Sequence, residues 1–195
     1  DDDVTLGAGA SGKRIDATAA NVAAHSLTFT AEAASSVLID ATDRTFDLGD
    51  GQIVTVEAGS GAHTVKAGTL CIYGGGWGAK AFFSNNCVNP LVLDAMLTHR
   101  MYKKPVFAGS GTVVLMRTMD IEDLLTVDGI LDACGVTLGS GEHLDGLAGN
   151  GLLTNSTATA TVLRVRGDST FGGALGGNIG FVRGRRNLND FATTI

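Results

Sequence analysis

The sequence predicts an all-β chain wound as a β-solenoid, and three observations carry that prediction. The first is a recurring beat. From Leu124 to Gly184 a short apolar strand signal ending in Gly returns every 17 to 21 residues, as Val127-Asp128-Gly129, Leu144-Asp145-Gly146, Val165-Arg166-Gly167 and Val182-Arg183-Gly184. A period near 20 with β-formers between the beats marks rungs that cannot bury an apolar face alone and must stack on their neighbours. The second is composition: 28 Gly against 2 Pro, 17% charged and 44% hydrophobic residues among 195. Gly without Pro suits tight turns, excludes the collagen pattern and, with this apolar content, excludes disorder. The third is a series of short strand signals upstream, about 8 to 10 residues apart.

Residues 1–25 are small and polar, which predicts an extended N-terminal segment or cap, with a short helix over 16–24. Strand signals begin at Ser26. Leu27-Thr28-Phe29-Thr30 alternates apolar and polar, as a half-buried strand does. Val37 to Ile39, Thr45 to Leu48, Gln52 to Glu57, His63 to Lys66 and Thr69 to Tyr73 continue the series. Asp50-Gly51 between two of them is a tight-turn signature, because Gly tolerates positive φ. Residues 90–104 predict a helical insertion. Asn89 would cap it and Pro90 would open it; Leu93, Met96, Leu97 and Met101 fall on one face, and Pro105 would stop it. Val106-Phe107 and Thr112 to Met116 resume strand character, and Asp120 to Leu125 predicts a helical turn. The solenoid domain thus runs over 26–186, with 187–195 as a C-terminal tail.

Charge narrows the partners. A net charge of −6 argues against nucleic acid, which wants a basic stripe, and Arg183, Arg185 and Arg186 form the one local basic cluster. No apolar run reaches the roughly 20 residues of a membrane span. The chain opens at Asp1, which suggests a removed leader or a piece of something longer. Cys71 and Cys87 lie about one rung apart and could stack as a disulfide, with Cys134 left over; three reduced core cysteines is the other reading.

The stretch Asn150 to Leu163, followed by Gly167-Asp168-Ser169-Thr170-Phe171-Gly172-Gly173 and Gly176-Gly177-Asn178-Ile179-Gly180-Phe181-Val182, resembles the β-strand repeats associated with autotransporter passengers. The match is strongest over 144–182, and Gly109 to Val113 and Ala67 to Leu70 look like weaker copies. The resemblance implies a right-handed parallel β-helix, exported to the cell surface or beyond, in an adhesin, matrix or stalk role. It carries no catalytic residues with it. The chain departs from the pattern in its 90–104 helix and in lacking a membrane-anchoring barrel.

Motifs that could carry chemistry are weak. Gly7-Ala8-Gly9-Ala10-Ser11-Gly12-Lys13 imitates a phosphate-binding loop, but only Val4-Thr5-Leu6 precedes it and Arg14 stands where a Mg²⁺-ligating hydroxyl belongs. The acidic groups Asp1 to Asp3, Asp40 with Asp43, Asp47 with Asp50, and Asp120 with Glu122 and Asp123 lack calcium-loop spacing and fit turn and capping roles. His25, His63, His99 and His143 are isolated, with no zinc spacing. His99, Arg100, Lys103 and Lys104 could form a polyanion-binding helix face or a solvated one. No catalytic, cofactor or metal residue is therefore assigned. The expected function is an extracellular structural protein, either a filament or matrix subunit or an adhesin stalk. It would associate head to tail through its two open sheet ends and could meet a surface glycan. The alternatives are a carbohydrate-active β-helix, whose carboxylates would converge with Tyr73, Trp77 or Tyr102 in one groove, and a phage fibre segment.

Overall fold

The computed structural model describes residues 2–73, 76, 78–100, 103–139, 141 and 143–184. They coil into a solenoid built almost entirely from parallel strands. The first coil is β1 (Asp3–Leu6), β2 (Arg14–Asp16) and β3 (Val22–Ala24). The next three hold a short and a long strand each: β4 (Ser26–Phe29) and β5 (Leu38–Leu48), β6 (Gly51–Val56) and β7 (His63–Ile72), β8 (Lys80–Asn85) and β9 (Leu91–His99). Three strands per coil return with β10 (Lys104–Ala108), β11 (Thr112–Leu115) and β12 (Met119–Asp120), then β13 (Leu124–Val127), β14 (Ile130–Asp132) and β15 (Thr137–Leu138). The stack closes with β16 (Gly146–Gly149), β17 (Leu152–Asn155) and β18 (Thr161–Val165), then β19 (Thr170–Phe171), β20 (Ala174–Gly177) and β21 (Ile179–Arg183).

These strands make three walls. The first strand of every coil forms an eight-stranded sheet, β1-β4-β6-β8-β10-β13-β16-β19. The remaining thirteen form a second sheet. It folds into two walls because β5, β7 and β9 run through a bend, marked by register shifts between Ala41 and Thr45 and between Lys66 and Thr69. Each coil adds about 4.8 Å of height, the parallel strand spacing.

Alternation makes the core. Inward residues of successive coils stack in columns, and the third wall carries one through all eight: Val22, Phe46, Leu70, Leu97, Met119, Leu138, Leu163 and Phe181. The second wall carries Leu91, Val113, Leu131, Leu153 and Leu175. The first carries Val4, Leu27, Val54, Phe83 and Phe107, with the last two rings stacked 5.1 Å apart. Each fully buried Leu or Phe contributes about 1.5–3 kcal/mol.

Several expectations are corrected. The helix at 90–104 does not form: 91–99 is strand β9 and 104–108 is strand β10. Leu91, Leu93, Ala95 and Leu97 all point into the core at a period of two, while Met96 faces out. Val92 and Met96 on the outer face hid that alternation and made a helical stripe appear. Asn89 caps no helix; its side-chain amide donates to Ser60 O at 3.0 Å. The helix over 16–24 is likewise absent, since this stretch ends β2 and forms β3. The helical turn at 120–125 is a corner between β12 and β13. Residues 2–25 are the first coil, in register with the second. The only helix among the described residues is a 3-10 turn at Ala8–Ala10, inside the corner joining β1 to β2. The tail at 187–195 lies outside the described residues.

The Gly beat also resolves differently. Gly129 sits where the first wall meets the second, whereas Gly146, Gly167 and Gly184 sit where the third wall returns to the first. The 17-to-21 rhythm mixes two corners, and the spacing at the first of them is 22, as in Gly129, Gly151 and Gly173. A Cβ on Gly151 would fall on Gly129 O and one on Gly173 would fall on Gly151 O, so only Gly lets the coils close there.

Candidate functional site

A concavity of about 430 Å³ lies at the C-terminal end of the stack. Leu147, Val165, Phe171, Leu175 and Phe181 form its floor, and Asp168, Ser169 and Arg183 stand at its rim. It is open because, among the described residues, the core columns end here. Leu175, the last of its column, is 47% exposed, whereas Leu153 beneath it is fully buried. Among the described residues no strand pairs with the outer edges of β19, β20 and β21, nor with those of β1, β2 and β3 at the other end. There Val4 is exposed and Leu6, Ile15 and Val22 are half-buried.

A second candidate is a charged corner where the third wall returns to the first. Arg166 Nε donates to Asp145 Oδ1 at 2.7 Å, and its Nη2 lies 3.7 Å from Glu122 Oε2. The Glu122 N–H donates to His99 Nε2 at 3.2 Å, which places the ring proton on Nδ1. Burial holds His99 below its ordinary pKa although Glu122, Asp123 and Asp120 pull upward. Lys103 is fully buried and donates to Gly76 O at 2.9 Å. The Arg166–Asp145, Glu122–His99 and Lys103–Gly76 contacts each join one coil to the next and the Arg166–Glu122 pair reaches across two, so the cluster fixes register. Among the described residues no three His, Cys, Asp or Glu side chains converge to hold a metal.

Polar side chains inside the other corners do similar work. Asn85 Nδ2 donates to Asn89 O and Thr112 O, and its Oδ1 accepts from Cys87 N. Asn155 repeats this with Thr159 O, Asn178 O and Thr157 N. Asp132 Oδ1 accepts from the N–H groups of Cys134 and Ser156, both at 3.0 Å. Burial raises the Asp132 pKa, but these bonds outweigh it and leave the carboxyl below its usual range.

Ser60 and His63 form the one pair that imitates a nucleophile and base, 2.5 Å apart. Their proton inventory excludes that role. His63 Nδ1 accepts from Val37 N–H at 3.1 Å, so the ring proton sits on Nε2 and points at Ser60 Oγ. Ser60 in turn has Thr30 O at 3.0 Å and Ala33 O at 3.3 Å to receive its own proton. Sequence reasoning missed this corner; the signal was the inward alternation of His63, Val65 and Ala67.

Of the two readings of the cysteines, the Cys71–Cys87 disulfide is not formed: Cys71, Cys87 and Cys134 are all free. Sixteen residues fall short of a full coil here, and the two lie apart, Cys71 on the third wall and Cys87 in the corner between the first wall and the second. Cys87 belongs to the core, where Sγ donates to Ser60 O at 2.8 Å. Cys71 alternates with the inward Leu70 and Ile72 and lies outside the core, beneath Asp47 and Arg100. Burial, with the Asp47 charge, pushes its thiol up to about 11. Arg100 also covers the Tyr73 ring, 5.0 Å from its centroid, while Lys103 points inward, so the expected basic face does not assemble. Trp77 and Tyr102 lie outside the described residues, as do Met101, Arg185 and Arg186. Gly7 to Lys13 is the first corner, and a strand follows it where a phosphate-binding loop has a helix. His25 pairs with Asp3 at 2.9 Å, and Asp40 accepts from Thr42 and Arg14.

No protein-family model, curated protein or solved structure matches the chain. No helix among the described residues is long and apolar enough to cross a membrane.

Proposed function

We propose that this chain is a structural solenoid subunit that associates head to tail, working as a filament, matrix or stalk element and not as a catalyst. The observation that supports it is the match between the two ends. Continuing the core columns from one copy into the next sets Phe171 against Val4 in the first wall and Phe181 against Val22 in the third, while in the second wall Leu175 falls over Lys13, two places before the inward Ile15. Phe171, Val4, Phe181 and Val22 are all apolar, and none is fully buried within its own chain. Both ends present strands of the same parallel sense, so the second copy would extend every wall by the hydrogen-bond pattern already inside the molecule. Such a contact is heterologous and does not close on itself. Placement at the cell surface or outside the cell, in an adhesin-like setting that could include a surface glycan, follows the resemblance of residues 144–182 to autotransporter repeats.

Sedimentation velocity across a concentration series tests the reading. The expected result is a weight-average size that rises with concentration and falls back to the monomer in Leu175→Lys. A monomer at every concentration would overturn it.

A further inference from the structure

We infer that the His63 corner is an acid-operated latch: neutral, it clamps coils two, three and four together, and on protonation it lets go of Val37 and opens that corner while the walls stay stacked. Geometry carries the inference. His63 occupies an inward position directly above Leu91, at the head of the otherwise aliphatic column Leu91, Val113, Leu131, Leu153 and Leu175. Its ring is buried and stacks on Phe29 with centroids 4.2 Å apart and planes 9° off parallel. Nδ1 holds Val37 in coil two; Nε2 holds Ser60 in its own coil; Ser60 O then receives Cys87 Sγ and Asn89 Nδ2 from coil four. The neutral ring thus joins coil two to coil three with both nitrogens committed, and Ser60 carries the corner on to coil four through its carbonyl.

Protonation destroys that arrangement. An imidazolium has two N–H donors and no acceptor, so the Val37 N–H loses its partner and faces a second donor. The new charge has no counter-ion in the corner. On the segment after β4 stands Glu32, and at the end of β6 stands Glu57, whose Oε2 accepts from Ala31 N; both are exposed. On the coil-four side the titratable group is the Cys87 thiol, which donates to Ser60 O. Burial alone already holds the ring below the ordinary 6.5. The adjoining segment 30–37 contains no strand, so it can move without breaking a sheet.

The test uses the whole chain and two NMR probes, the His63 ring shift and the protection factor of the Val37 amide, followed from about pH 8 to about pH 4.5. The expected result is a ring that titrates below the ordinary histidine value, with Val37 protection falling about tenfold or more for each pKa unit of depression over the same interval. The Leu131 and Leu153 amides should hold their protection. In His63→Gln, which keeps an acceptor and a donor but does not titrate, the Val37 step should vanish. Should that variant fail to fold, coincidence of the two wild-type curves decides. Val37 protection that stays flat while the ring titrates, or a step that persists in His63→Gln, would overturn the latch.

Discussion

The coils over 26–99 and those over 124–184 solve the same problem in opposite ways. In the first region, β5, β7 and β9 run 11, 10 and 9 residues through the bend without a break, and corners are filled by Ser60, His63, Asn85 and Cys87. In the second, strands are 2 to 5 residues long, and the first corner closes on the column Gly129, Gly151 and Gly173. Larger coils leave interior room that polar side chains must occupy with every hydrogen bond made. Smaller coils leave none, and the backbone itself becomes the filler. Asp132, Asn155 and Thr161 are exceptions, buried polar plugs within the short coils.

The largest expected effect tests what the regions share. Leu93→Ala and Leu153→Ala each empty a buried column position and should cost about 2–5 kcal/mol in urea unfolding. A loss under 1 kcal/mol in either would contradict the column description. Gly151→Ala tests the short coils: forcing a Cβ onto Gly129 O should cost about 1–3 kcal/mol, while Gly9→Ala, with nothing within 4 Å, should be near neutral. Asn85→Ala and Asn155→Ala sharpen the comparison, each leaving two part-buried backbone carbonyls without their side-chain donor at about 1–3 kcal/mol. Similar losses in both would show that plugs work alike in long and short coils.

Acid should separate the regions further. His63 and His99 are held below 6.5, so their neutral forms stabilise the fold above that pH, and the contribution is lost as pH falls from 6.5 towards the depressed values. Asp3, Asp16, Asp40 and Asp132 are held below 3.8, so theirs persists above that pH and disappears only as pH falls below it. Urea midpoints measured against pH should therefore fall in two limbs, and His63→Gln should shrink the first alone. The smallest effect is Arg117→Ala, which breaks a half-exposed pair with Asp94 and should cost less than about 1 kcal/mol.

The solenoid was legible because alternation is a local property. Leu27 and Phe29, Val54 and Val56, and Val65 and Ala67 each announce an inward face within a few residues. The β9 strand was not, because Ala95 is too small to register as core and Met96 too apolar to register as surface. The Gly beat was visible, but its two corners are distinct only once coils are stacked. The Ser60–His63 corner, the burial of Lys103 and the concavity around Leu175 depend on which coil lies above which, and that register is set by long-range pairing.

The head-to-tail account is tested most directly by mixing two variants, Ile15→Lys, which blocks one end, and Leu175→Lys, which blocks the other. Each has one intact end. The account predicts that each alone sediments as a monomer and that the mixture yields a single species of two chains, with nothing larger. A mixture that stays monomeric, or either variant that still assembles alone, would contradict it.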